Sequence, residues 1–174
     1  KSIYINLRWI GIIGQLISIY LVYFHFQFYF DFLFCNLIIF LGIIANLYLI
    51  FFYKKIQLSD RAAFINLLID IIQLSALIYL TGGVVNPFII FLLIPSIFAS
   101  SNLSLKTNSL LVLSTTLLII FLTFFALELP SPLNNHFHVS LYYFYSIPIA
   151  LIIALLFLNY FAIIFGRESK IRKD

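Results

Sequence analysis

Two groups of residues stand out for the chemistry they could perform. Asn66, Asp70, Gln73, Leu77 and Thr81 follow one another at spacings of four, three, four and four residues. On a helix those spacings line one face. A carboxyl between two amides, with a hydroxyl further along, suits a proton relay or a conformational latch. It suits interhelical polar glue equally well, with Asp70 hydrogen-bonded to a neighbour such as Gln15. Long apolar runs flank this carboxyl, and a charge among such residues is costly. Asp70 must therefore face the interior of a bundle and find a partner there.

The second group is the run Gly82-Gly83-Val84-Val85-Asn86-Pro87-Phe88, a short break between two apolar stretches. Glycine just past a helix is the usual left-handed cap. Asn86 is a good N-cap and Pro87 a good first residue for the helix that follows, so the run reads as a tight turn. The same residues also suit a ligand. Two glycines let a flat ring approach the backbone, and N–H groups at the positive end of the next helix suit a carbonyl or a developing oxyanion. Asn86 adds amide donors, Thr81 a hydroxyl, and Tyr79 and Phe88 aromatic faces. A quinone head group, with its apolar plane, two carbonyl acceptors and lipid-dissolved tail, meets those requirements. Both readings stand on the residues alone. Asp70 precedes Thr81 by eleven residues, about 16 Å of helix, which keeps it out of contact with a ring held at the break.

The remaining polar and special residues have plainer readings. Gly11, Gly14, Gln15 and Ser18 form a small or polar face that close helix packing explains. Arg8 and Trp9 sit where cationic and aromatic anchors belong at a membrane boundary. Pro95 and Pro148 are candidate kinks. His25, His136 and His138 fall at helix ends, so no facing pair is available for a haem, and the expected setting is interfacial or solvated. Cys35, the lone cysteine, reads as a buried small hydrophobe. No metal site is expected. There is no Gly-x-Ser-x-Gly, no His-Glu-x-x-His and no phosphate-binding glycine loop, so no catalytic constellation is expected either.

The elements that position these groups follow from composition. Of 174 residues, 64% are hydrophobic and only 9% charged, far too little polar surface for a soluble domain of this size. The solvent for most side chains is lipid. Six apolar runs approach the length of a membrane-spanning helix, at residues 9–24, 32–53, 62–80, 88–101, 110–127 and 141–165. The first and fourth are short, and their ends are expected to extend. The fold expected is an all-α membrane protein, a six-transmembrane-helix bundle.

Orientation follows from the basic residues. Lys1 and Arg8 precede the first run; Lys54, Lys55 and Arg61 lie between the second and third; Lys106 between the fourth and fifth; and Arg167, Lys170, Arg172 and Lys173 follow the sixth. All ten Lys and Arg thus occupy alternate segments, which are expected to be cytoplasmic, along with both termini. His25, Asp31, Glu128, His136, His138 and the break then face outward. The chain lacks methionine and ends on a basic stretch. That pattern is expected of an excised membrane region, with residues 1–166 as a sensor domain and 167–174 starting a cytoplasmic signalling helix.

With these residues assembled, Leu80-Thr81-Gly82-Gly83-Val84-Val85-Asn86-Pro87-Phe88 resembles the GGxxNPF signature of the RegB/PrrB-type redox-sensing histidine kinases. Arg8-Trp9 with Gly14-Gln15, Asp70-x-x-Gln73-Leu74 and Pro95 resemble the flanking features. The resemblance extends over the first four helices. It implies a sensor region of the bacterial inner membrane that binds ubiquinone near Gly82, Gly83, Asn86, Pro87 and Phe88, with Thr81 and Tyr79 beside them. It also implies a homodimer, a kinase domain that binds ATP and lies outside this chain, and a cognate response regulator. Two rivals remain open. One is a small transporter or channel with Asn66, Asp70 and Gln73 along its path. The other is a module that only anchors and dimerises its partner.

Overall fold

A computed structural model describes residues 2–53, 57–132 and 136–171. Lys1, Lys54, Lys55, Arg172 and Lys173, all used in the charge argument, lie outside the described residues. The chain forms α1 (Ser2–Tyr20), which continues as one π-helical turn (Leu21–His25), then α2 (Phe32–Phe51) and α3 (Asp60–Leu80). Two 3₁₀ segments follow (Gly83–Val85 and Pro87–Leu92), and the second runs into α4 (Leu93–Asn102). α5 (Leu105–Phe124) and α6 (Leu141–Ile171) complete the bundle.

Short polar residues start these helices. The carboxylate of Asp31 accepts from Phe34 N at 3.2 Å before α2, and Ser59 Oγ from Ala62 N at 3.2 Å before α3. Ser104 Oγ accepts from Thr107 N at 3.3 Å before α5, and Ser140 Oγ from Tyr143 N at 3.4 Å before α6. Each cap satisfies a first-turn donor and fixes where the helix begins.

Among the described residues, five helices are long and apolar enough to cross a membrane, and Ser2–His25 extends the first expected run at both ends. The fourth pass is the exception, because Pro87–Asn102 has too few residues for an ordinary span. Its first six residues are 3₁₀ and its last ten are α. A 3₁₀ segment rises about 2.0 Å per residue and an α-helix about 1.5 Å, so the pass reaches about 27 Å, close to the hydrocarbon thickness of about 30 Å. Stretching the winding lets a short run span. Pro95 falls in the first turn of α4, where a missing N–H breaks no interior bond, and α6 runs through Pro148 without a break.

Polar side chains are buried inside the bundle among a larger set of apolar ones, and the outside is apolar. Asn46, Ser96, Asn108, Thr115 and Asn159 are buried, while large aliphatic and aromatic side chains of every helix face outward. α4 packs between α5 and α6, α3 packs on α5 and α2, and α1 packs on α2. Leu67, Ile71, Ile78, Leu92, Leu111, Ile119 and Leu155 form the main core. Cys35 is fully buried in a second cluster with Ile12, Ile39 and Leu77. Gly11 and Gly14 have open space where a Cβ would stand, so the close packing expected of them is not made within the chain.

Alternate connections gather at opposite ends. At one end Tyr29 N donates to Ser131 O at 3.2 Å, Leu127 N donates to Tyr79 O at 2.9 Å, and the Phe28 and Phe137 rings lie 5.8 Å apart. At the other, Ser104 N and Oγ donate to Asp60 at 3.1 and 2.5 Å. Gly166 lies against Ser101 at that same end, and Arg61 and Lys106 belong to the helix starts there.

Candidate functional site

The break is a strap between two helices. Gly82 and Gly83 have φ of +112° and +60°, consecutive left-handed conformations that glycine alone adopts readily. The chain then makes one 3₁₀ turn and extends at Asn86 before Pro87 opens the next helix. The Asn86 side chain uses both ends. Its oxygen accepts from Phe88 N at 2.9 Å, and its Nδ2 donates to Thr81 Oγ1 at 2.7 Å and Thr81 O at 3.0 Å. Thr81 Oγ1 in turn donates to Leu77 O at 2.7 Å. The buried amide therefore ties the last turn of α3 to the first turn of the following helix. Asn86 and Thr81 frame the break and direct their polar atoms into it, whereas the residues alone suggested donors aimed at a ligand.

The close approach that the glycines permit is made by the chain itself. A Cβ on Gly83 would collide with Ala126 Cβ and lie 2.6 Å from Leu122 O; one on Gly82 would lie 2.6 Å from Leu129 Cδ1 and 2.9 Å from its Cα. The end of α5 and the residues after it dock onto both glycines. Beside this contact opens a cavity of about 450 Å³, lined among others by Gly82, Val85, Glu128, His136, His138 and Phe144. Of the residues expected at a ligand site, only Gly82 lines it. The two histidines, expected to be interfacial or solvated, are exposed and face this cavity together with the break.

The aromatic residues divide. The Tyr79 ring stacks on Phe121 at 6.2 Å. Phe88 is 43% exposed and stacks on Phe91, itself exposed, at 5.9 Å. This outward pair meets the surrounding hydrocarbon where the fourth pass begins, while Val84, Ile89 and Leu92 point inward.

The polar stripe of α3 resolves into separate contacts. Asp70 is held by α1: Arg8 Nη2 lies 2.7 Å from one carboxylate oxygen, and the Tyr4 hydroxyl donates to the other. The guanidinium also lies over the Tyr4 ring, 5.5 Å from its centroid. Arg8 is thus an interior counter-charge, 8% exposed, instead of the boundary anchor its position suggested. The proposed Asp70–Gln15 contact is replaced by a reciprocal amide pair, in which Gln73 Nε2 donates to Gln15 Oε1 at 2.9 Å. Asn66 donates to Ala62 O on its own helix at 2.8 Å. An ion pair, an amide pair and a local backbone bond share the face, and they do not form one relay.

A third polar centre escaped sequence reasoning. Asn108 of α5 and Asn159 of α6 exchange amide hydrogen bonds at 2.9 and 3.0 Å, and Asn159 also donates to Ser96 O of α4 at 3.1 Å. The Ser96 and Thr115 hydroxyls bond at 2.8 Å. This cluster ties α6 to α4 and α5. The signal was available: Asn159 interrupts an otherwise apolar run, and a buried amide in a membrane needs a partner.

Comparison with known proteins places this architecture. Residues 5–168 match the family model described as a PilS-like transmembrane domain. The chain belongs to that family. It is also 29% identical over 159 residues to the sensor histidine kinase RegB of Cereibacter sphaeroides. That alignment covers 91% of this chain but 34% of the relative, so the chain spans about a third of the length of the curated relative it matches. No solved structure matches it. The chain is thus a multi-pass transmembrane domain of the bacterial inner membrane, related to the membrane region of a sensor histidine kinase.

Proposed function

We propose that this domain is the membrane sensor of a histidine kinase, and that it binds ubiquinone at the break and passes the redox state of the quinone pool to a cytoplasmic kinase. The observation that carries the reading is the strapped break itself. It sets a rigid, left-handed Gly-Gly turn beside the lipid-exposed Phe88 and Phe91. A lipid-dissolved ring can reach that place without crossing water, and the adjoining cavity of about 450 Å³ lies within the range of small-molecule sites, about 300–1,000 Å³. When bound, the quinone supplies a redox-dependent set of oxygen acceptors or hydroxyl donors. The chain supplies the frame: Asn86 and Thr81 lock the break, Phe88 offers a ring face, Pro87 fixes the helix start, and Tyr79 buttresses the end of α5.

The basic residues set the orientation. Arg61 and Lys106 share the end that also holds the start of α1 and the end of α6, so that end is cytoplasmic by the distribution of short-loop charges. The break then faces the periplasm. α6 continues through Ile171, past the apolar run, and carries the signal out of the membrane. The kinase acts as a homodimer, with ATP bound in its cytoplasmic domain, and phosphorylates a cognate response regulator. A ligand shifts such a bundle only through different affinities for two of its states. The transport reading loses ground because Asp70, Gln73 and Gln15 are engaged in contacts between α1 and α3.

Equilibrium binding of a short-tail ubiquinone to the chain in nanodiscs tests the proposal. Wild type should bind, and Asn86→Ala and Phe88→Ala should bind several-fold more weakly. Equal affinity in all three proteins removes the site from the break.

A further inference from the structure

The cavity between the break and the connection from α5 to α6 has features that the break alone lacks. The break contributes Gly82 and Val85, and the connection contributes Glu128, His136 and His138; Phe144 belongs to the second turn of α6. Within the break the side-chain donors are already used, since the Asn86 amide and the Thr81 hydroxyl bond to the chain. A ring carbonyl seated there would have no free side-chain donor. Across the cavity stand two exposed imidazoles, and a neutral imidazole both donates one hydrogen bond and accepts another. It can therefore serve a carbonyl in the oxidised ring and a hydroxyl in the reduced one. The Glu128 carboxylate, when ionised, only accepts, and so favours hydroxyls.

The described parts of the connection are held on both sides. Leu122, Ala126 and Leu129 close on Gly82 and Gly83, Tyr29 N donates to Ser131 O at 3.2 Å, and the Phe137 ring meets Phe28. Apolar walls with polar groups on one side suit an amphipathic ring at the edge of the hydrocarbon. Resting on the quinone reading above, we propose that the head group sits in this cavity, with His136 and His138 hydrogen-bonded to its ring oxygens. The break then forms one wall of the site, and α6 feels the ligand directly at Phe144, a shorter route to the output helix than one through α3 and α4.

Ubiquinone titrations of the chain in nanodiscs, with wild type, the His136→Ala/His138→Ala double variant and Phe144→Ala, decide the matter. Loss of two hydrogen bonds to the ring should weaken binding by the double variant about tenfold. Photolabelling with an azido-ubiquinone should mark residues 122–144 in wild type and lose that mark in the double variant. Both histidines are exposed, so circular dichroism should show an unchanged helical content. Affinity within twofold of wild type in the double variant, with labelling at Phe88 alone, overturns the histidine seat and leaves quinone binding at the break intact. No binding by wild type overturns both.

Discussion

At the level of single residues, the outcome turns on which partners side chains find once the chain is folded. Asp70 was readable as an interior carboxyl from its flanks, but its partner was not. Arg8 lies near the start of an apolar run, where a boundary anchor is the ordinary role, and only the packing of α1 shows that it turns inward to Asp70. Removing one member of a buried pair strands the other, at a cost of about 3–5 kcal/mol. Arg8→Ala and Asp70→Asn should each lose about 3 kcal/mol in reversible unfolding from mixed micelles. Replacing both residues with leucine should cost much less than the sum. Additive losses would show that the pair is not coupled. Gly83→Ala tests the other close contact. It forces a side chain onto φ +60° and into Leu122 and Ala126, and should destabilise by about 2 kcal/mol or more. A neutral result would mean that the docked end of α5 moves freely.

At the level of elements, the spans and the cap at Asn86 were largely legible, because apolar length and a capping side chain act locally. The caps at Ser59 and Ser104 emerge only from the structure. The close approach at Gly82 and Gly83 was not legible, because it depends on a segment some forty residues later in the chain. The Asn108–Asn159 pair was missed for the same reason. Asn159 alone looks like an isolated polar residue in an apolar run, Asn108 belongs to the polar stretch before the fifth run, and only the crossing of α5 and α6 makes them partners. Asn159→Leu should leave Asn108 unpaired and destabilise by about 1 kcal/mol. Adding Asn108→Leu should recover most of that loss in the same unfolding measurement. No recovery would mean that the amides act independently.

For the whole molecule, the described connections gather at opposite ends, with the helix starts that carry Arg61 and Lys106 at one of them, and which end faces the cytoplasm is a prediction from the basic residues. A periplasm-active phosphatase fused after His138 should be active, and one fused after Lys106 inactive; the reverse pattern would invert the domain. The least legible feature was the cavity proposed to hold the ligand, because it is assembled from the break and the α5–α6 connection together. The central claim is that ubiquinone occupies this end of the bundle. Photolabelling of the chain in native-like lipid with an azido-ubiquinone, followed by peptide mapping, tests it most directly. The account predicts saturable labelling confined to residues 79–91 and 122–144 and abolished by excess unlabelled ubiquinone. Labelling spread over the lipid-facing surfaces of α1 and α2, and unaffected by competitor, would contradict it.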